Sequence, residues 1–249
     1  MISVLGVEAS RDELRIVPVP HADEGGSRWK PIQHGVLADL IVRNLKRRGF
    51  GIKEERWSLS NDGKRLIGAI DVGIARDKRK ELGADRLKGI NYALGIRHSN
   101  DQKYALTFSV GATVLVCHNG VISGEFIVSK RHTINTDLKR VIRKGVDVFS
   151  GKLSGIPEVV NRFRQIEYEN ENSNGAERAL ITAGMEHVLP WSRVGKVARE
   201  YYYPVFEEFA PRNGWSLYNA ATHVAQEISP ERQMYVMDRF RDVIFDTVN

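Results

Sequence analysis

The chain has 249 residues, 42% of them apolar and 27% charged, with a formal charge of +6 and one cysteine. That length can bury a sizeable core unaided, and a single cysteine excludes an internal disulfide. Apolar runs no longer than a strand exclude a membrane-spanning helix, and the N-terminal MISVLGVEASRDELRIV lacks the basic start and long apolar stretch of a secretory signal, so a soluble cytoplasmic protein is expected.

Charge is unevenly spread. Arg43 to Arg65 holds eight Lys/Arg against three acids, and Arg97 to Lys144 again eight against three. From Glu200 to Asn249 the balance reverses to four Arg against eight acids. A basic front half and an acidic tail suggest nucleic acid, another polyanion, or the tail itself as partner of the front half.

In chain order, residues 1–30 read as a short strand or two followed by a Pro/Gly loop. Val36, Leu37, Leu40, Ile41 and Leu45 recur at helical spacing, and Gly49 supplies a C-cap. Arg43, Lys46, Arg47 and Arg48 in the last turn suit the helix dipole. GIKEERWSL and KRLIGAIDVG read as strands joined by Ser60-Asn61-Asp62-Gly63, a strong hairpin signal. ARDKRKELGADRLKG is charged and lacks clear periodicity, as an exposed helix or a loop would. Strands are then expected at Tyr92–Arg97, Tyr104–Val110, Thr113–Cys117 and Val121–Val128, with turns at Ser99–Gln102 and His118–Gly120. Such short separations favour antiparallel hairpins.

After Thr133 the pattern turns helical. Ile134, Leu138, Val141, Ile142 and Phe149 form one stripe, and Lys139, Arg140, Arg143 and Lys144 share another face. Further helices are expected at Pro157–Tyr168, Ala176–Val188, Val194–Tyr203, Trp215–Glu227 and Glu231–Thr247, with ENENSNG (Glu169–Gly175) as the candidate hinge.

No catalytic motif stands out. Cys117 and His118 are neighbours on an expected strand and point to opposite faces, which separates a thiol from its base. Cys117 extends the apolar run VLV, where a free cysteine packs as a small hydrophobe. His98, His118 and His132 fit no compact ligand spacing, so neither a metal nor a cofactor is expected. Asp71 and Glu125 show no obvious carboxylate partner. The stronger signal is cationic. Arg97, His98 and Asn100 leave one strand, Lys103 enters the next, and Lys130, Arg131 and His132 lead into the Lys139/Arg140/Arg143/Lys144 face. Phosphates favour such tracks, and Trp57, Tyr92 and Tyr104 offer rings on which bases could stack unless they belong to the core.

The run LGIRHSNDQKYALTFSVGATVLVCHN, with NGVISGE and KRHT after it, resembles the phage- and plasmid-borne family catalogued as domain of unknown function 932. The residues that carry the resemblance are Ser99, Asn100, Asp101, Gly111, Val114, Val116, Cys117, Asn119, Ser123, Gly124, His132 and Thr133, together with Pro204 and the Trp215, Asn219, Ala220, Thr222 set in NGWSLYNAATHVAQE. It spans roughly residues 28–228. It implies a phage or plasmid protein of a bacterial host cell with neighbours in DNA metabolism, and no catalytic residues to carry over. By analogy of fold alone, the order of elements also looks like the core of phage single-strand annealing proteins.

The expectation is therefore an α+β fold: an antiparallel sheet of about five or six strands packed on the Val36–Arg48 and Ile134–Phe149 helices. Residues 1–150 would form a core with a basic face and 151–249 a helical, acidic part that either packs with it as one unit or docks beside it. The expected function is non-catalytic binding or annealing of single-stranded DNA, as a homo-oligomer. Arg97, Lys103, Lys130, Arg131, Lys139, Arg140, Arg143 and Lys144 would hold the backbone, Asn100 and Asn119 would bond sugar or phosphate, Trp57 or Tyr104 would stack, and His98 and His132 belong to the same expected site. The alternatives are an interaction protein that blocks or recruits a host protein, or a nucleotide- or nucleic-acid-acting enzyme using histidines.

Overall fold

The structure is a computed structural model that describes residues 7–21, 28–75, 90–114, 120–168, 174–228 and 230–247. Its fold is α+β. Six strands form one antiparallel meander in sequence order: β1 (Val7–Glu8), β2 (Gly51–Ser60), β3 (Arg65–Gly73), β4 (Ile90–Ser99), β5 (Leu106–Val114) and β6 (Gly120–Lys130).

The β2–β3 hairpin turns where the sequence signals it. Asn61 and Asp62 both have φ of +53° and Gly63 has +78°, the left-handed region these residue types tolerate. Cross-strand partners share a sheet face, so the row Trp57, Gly68, Ile96, Phe108 and Val128 points one way. That way is toward the helices. Gly68 lets the Trp57 ring lie flat across β3, since a Cβ there would come within 2.3 Å of it.

Helices α1 (Arg11–Ile16), α2 (His34–Arg47) and α3 (Leu138–Lys152) are in contact in that order, and α3 also packs on β5 and β6. α2 buries Leu37, Ala38, Ile41, Val42 and Leu45, and α3 buries Ile142, Val146 and Phe149. A fully buried phenylalanine such as Phe149 contributes roughly 2–3 kcal/mol. The segments that lead into α2 and α3 meet at the Trp29–Thr133 bridge. Their far ends meet through the Phe50–Phe149 ring contact at 5.7 Å and the Arg48–Asp147 ion pair. The two helices therefore run side by side in the same direction.

Beyond them lie α4 (Ile156–Gln165), α5 (Gly175–Met185), α6 (Trp191–Tyr202), α7 (Gly214–Ala225) and α8 (Pro230–Asp246). α7 and α8 reach β6, and one hydrophobic core continues from the sheet through these helices. A boundary at residue 150 would fall inside α3.

Several local expectations change. The strands expected at Tyr104–Val110 and Thr113–Cys117 are one strand, β5, that runs through Gly111; Tyr104 lies in the preceding bend. α3 begins at Leu138, where the Asp137 side chain accepts from Arg140 N at 3.1 Å, and leaves Ile134 outside and exposed. α1 stands where the sequence suggests strand and loop. A capping box between Ser10 and Glu13 starts it, and Leu14 anchors it in the core. The Cys117-His118-Asn119 turn lies outside the described residues, as do most of ENENSNG and of the charged stretch after Ala75.

Candidate nucleic-acid interface

The α3 face follows from helical spacing. With Ile142, Gly145, Val146 and Phe149 turned inward, Lys139, Arg140, Arg143 and Lys144 must turn out, and all four are exposed. Gly145 brings α3 against the sheet: a Cβ there would sit 2.7 Å from the Phe108 ring. On the neighbouring α2, the same logic turns out Arg43, Lys46 and Arg47. None of these cations has a carboxylate partner among the described residues. Helical spacing alone assigns the α2 cations to compensation of the helix dipole. They border a groove with Asp39 and with Arg11 and Arg15 of α1, on the helix that packs beside α3, and that adjacency becomes visible only in the fold.

Carboxylates do border this surface, but they are engaged. Asp39 is bound by Arg15 at 2.9 Å and by Arg11 at 3.3 Å. Burial pushes its carboxyl up, and the two arginines outweigh burial and hold it below the usual carboxylate range. Asp147 pairs with Arg48. The acids of the C-terminal part pair with cations of that same part: Glu227 with Lys196 at 2.6 Å and Arg193 at 3.1 Å, Glu186 with Arg239 at 3.2 Å, and Asp238 and Asp242 with Arg241 at 2.8 Å each. Among the described residues, the acidic tail does not neutralise the α2/α3 cations.

The remaining expected site residues are placed elsewhere. Trp57 is only 3% exposed and packs in the core, so it cannot offer a face to a base. His98 is fully buried, and His132 and Asn100 are nearly so. Asn100 serves the fold: Oδ1 accepts from Ile32 N at 3.0 Å and Nδ2 donates to Ile32 O at 2.9 Å. His98 faces α2, which turns its strand neighbour Arg97 to the opposite side of the sheet. There the Arg97 guanidinium lies 4.8 Å from the centre of the Tyr104 ring, which it shares with Arg65 at 5.5 Å, and Arg65 pairs with Asp101 at 2.6 Å. Lys103 is exposed in the β4–β5 bend, and Lys130 and Arg131 are exposed between β6 and α3. Asn119 lies outside the described residues. The cations thus form no single furrow. The α3 set joins α2 on the helical layer, and Arg97 with Tyr104 belongs to the other face of the sheet.

The histidines form a buried cluster with a partner the sequence did not suggest. His98 Nδ1 lies 3.2 Å from His34 Nδ1, and His34 Nε2 lies 2.8 Å from Gly63 O. The Gly63 carbonyl can only accept, so His34 donates through Nε2 and accepts His98 N–H at Nδ1. Ring centres of His98 and His132 are 4.8 Å apart, and His132 packs between the carbonyls of Lys30 and Ser99. Burial lowers the pKa of His98 far below the ordinary histidine value, and His34 and His132 lower it further. Burial also lowers that of His34, against the Gly63 bond that raises it. These rings bond to one another and to carbonyls, and among the described residues no group of three metal-ligating side chains is placed to hold an ion. Asp71 is buried against Arg56 at 2.7 Å.

Among the described residues no helix is long and apolar enough to cross a membrane. Comparison of the chain with protein-family models, with curated proteins and with solved structures finds no match to any of them.

Proposed function

We propose that the protein is a non-catalytic nucleic-acid-binding protein that holds the backbone of single-stranded DNA across the outer faces of α2 and α3. The observation that carries this reading is the set of exposed cations without carboxylate partners among the described residues on two adjacent parallel helices: Arg43, Lys46 and Arg47 on one, Lys139, Arg140, Arg143 and Lys144 on the other. Arrays of this kind draw phosphates by counterion release and carry no sequence information.

Neither helix exposes an aromatic ring, because Phe149 is buried and α2 has no Phe, Tyr or Trp. Bases held by their backbone alone keep their pairing edges free. That property suits annealing of complementary strands, and the resemblance to phage and plasmid proteins with neighbours in DNA metabolism points the same way. An enzymatic role for His98 and His132 loses support, since a substrate cannot reach either ring in this packing. A protein-binding role has one observation in its favour, the exposed Ile181, Met185 and Trp191 on α5 and at the start of α6.

Fluorescence anisotropy with a labelled single strand, titrated at rising salt, tests the proposal. If each cation meets one phosphate, the plot of log affinity against log salt has a slope of about −5. Absence of binding at low salt removes it.

A further inference from the structure

The C-terminal helices do not close fully on the sheet. Where β5, the α3–α4 joint, α7 and α8 meet, they leave a cavity of about 170 Å³. Val110 and Ala112 form its sheet-side wall. Ile156, Val160 and Phe163 line one flank, and the rings of Trp215 and Tyr218 line another. All of these are buried side chains.

The polar groups at its edge carry little uncompensated charge. Arg241 is paired with both Asp238 and Asp242. Burial raises the Tyr218 phenol above its ordinary range, so that group stays neutral. Lys152 is exposed at the end of α3 and borders the space. An engineered apolar cavity of about 150 Å³ in another protein stays dry and binds benzene, so the space here matches a ring of that size or slightly larger. Among the described lining residues Arg241 is already paired and Lys152 stands at the exposed rim, so an anion would lose its hydration for little return.

We infer that this cavity is a binding site for a small, neutral, largely apolar ring compound of benzene to indole size. The ligand touches β5 on one side and α4 and α7 on the other, so it braces the junction between sheet and C-terminal helices. The site is independent of the α2/α3 surface and of any role for it.

The test is thermal unfolding of the full chain with benzene, indole and benzoate as probes. The neutral probes, at tenfold excess over their Kd, raise Tm by about 3–6 °C, and benzoate does not. Ala112→Leu fills the space and abolishes the rise. If circular dichroism shows that this variant does not fold, Val159→Trp closes the cavity from its rim with the same effect. No rise with either neutral probe overturns the inference. So does a rise that persists in a folded, filled variant, or a response to benzoate equal to that for benzene.

Discussion

The Nδ1 atoms of His34 and His98 face each other across the α2–sheet contact at 3.2 Å, and only one of them can carry the shared proton. A second proton on this pair would set two donors against each other in a buried site that already adjoins His132.

The fold is therefore stabilised by keeping both rings neutral. Their folded pKa values lie below the unfolded value of about 6.5, and this contribution is complete above that pH. As pH falls below it, the unfolded chain takes up protons that the native state refuses. Stability should then drop by up to about 1.4 kcal/mol per pH unit for each ring. Urea unfolding between pH 7.5 and 5 should show this loss, and a His98→Leu variant, if folded, should show a shallower one. A flat profile would mean that the cluster accepts protons in the native state.

Asn100 reaches across to Ile32 and satisfies both its N–H and its C=O. Removing the side chain strands two buried backbone groups. Asn100→Ala should cost about 2–4 kcal/mol, seen as a lower urea midpoint at an unchanged m-value.

Gly145→Ala sets two effects against each other. Alanine favours the helix by about 1 kcal/mol, but its methyl would enter the Phe108 ring, which is fully buried and has nowhere to move. Overpacking should win and leave a net loss of about 1 kcal/mol or more. Phe108→Leu should recover part of that loss in the double variant, beyond what additivity allows.

The local features were legible in the sequence and the long-range ones were not. Asn61-Asp62-Gly63 announced its hairpin because positive φ is a property of the residues themselves. α2 and α3 were visible from spacing, but the shift of the α3 start from Ile134 to Leu138 turned on the Asp137 cap. Gly111 looked like a strand break, whereas its pairing with Ala93 of β4 holds β5 extended through it while the β6 register shifts at that point. His34 stood unnoticed because its partners, Gly63 and His98, lie 29 and 64 positions away in the chain. Trp57 is open to either a base platform or the core in the sequence, and the register of β2 turns it toward the helices. The basic face of α3 needed only helical geometry, but the position of the α2 cations on the adjacent helix needed the packing of two distant segments.

The most direct measurement compares two charge-matched triple variants in single-stranded DNA binding across a salt titration. Arg140→Ala/Arg143→Ala/Lys144→Ala strips the α3 face, and Arg178→Ala/Arg199→Ala/Arg232→Ala removes exposed cations from α5, α6 and α8. Binding across α2 and α3 requires the first to lose at least tenfold in low-salt affinity and to lower the salt slope by about 2, with the second close to the unmodified protein. Equal losses in both, or none in the first, would contradict it.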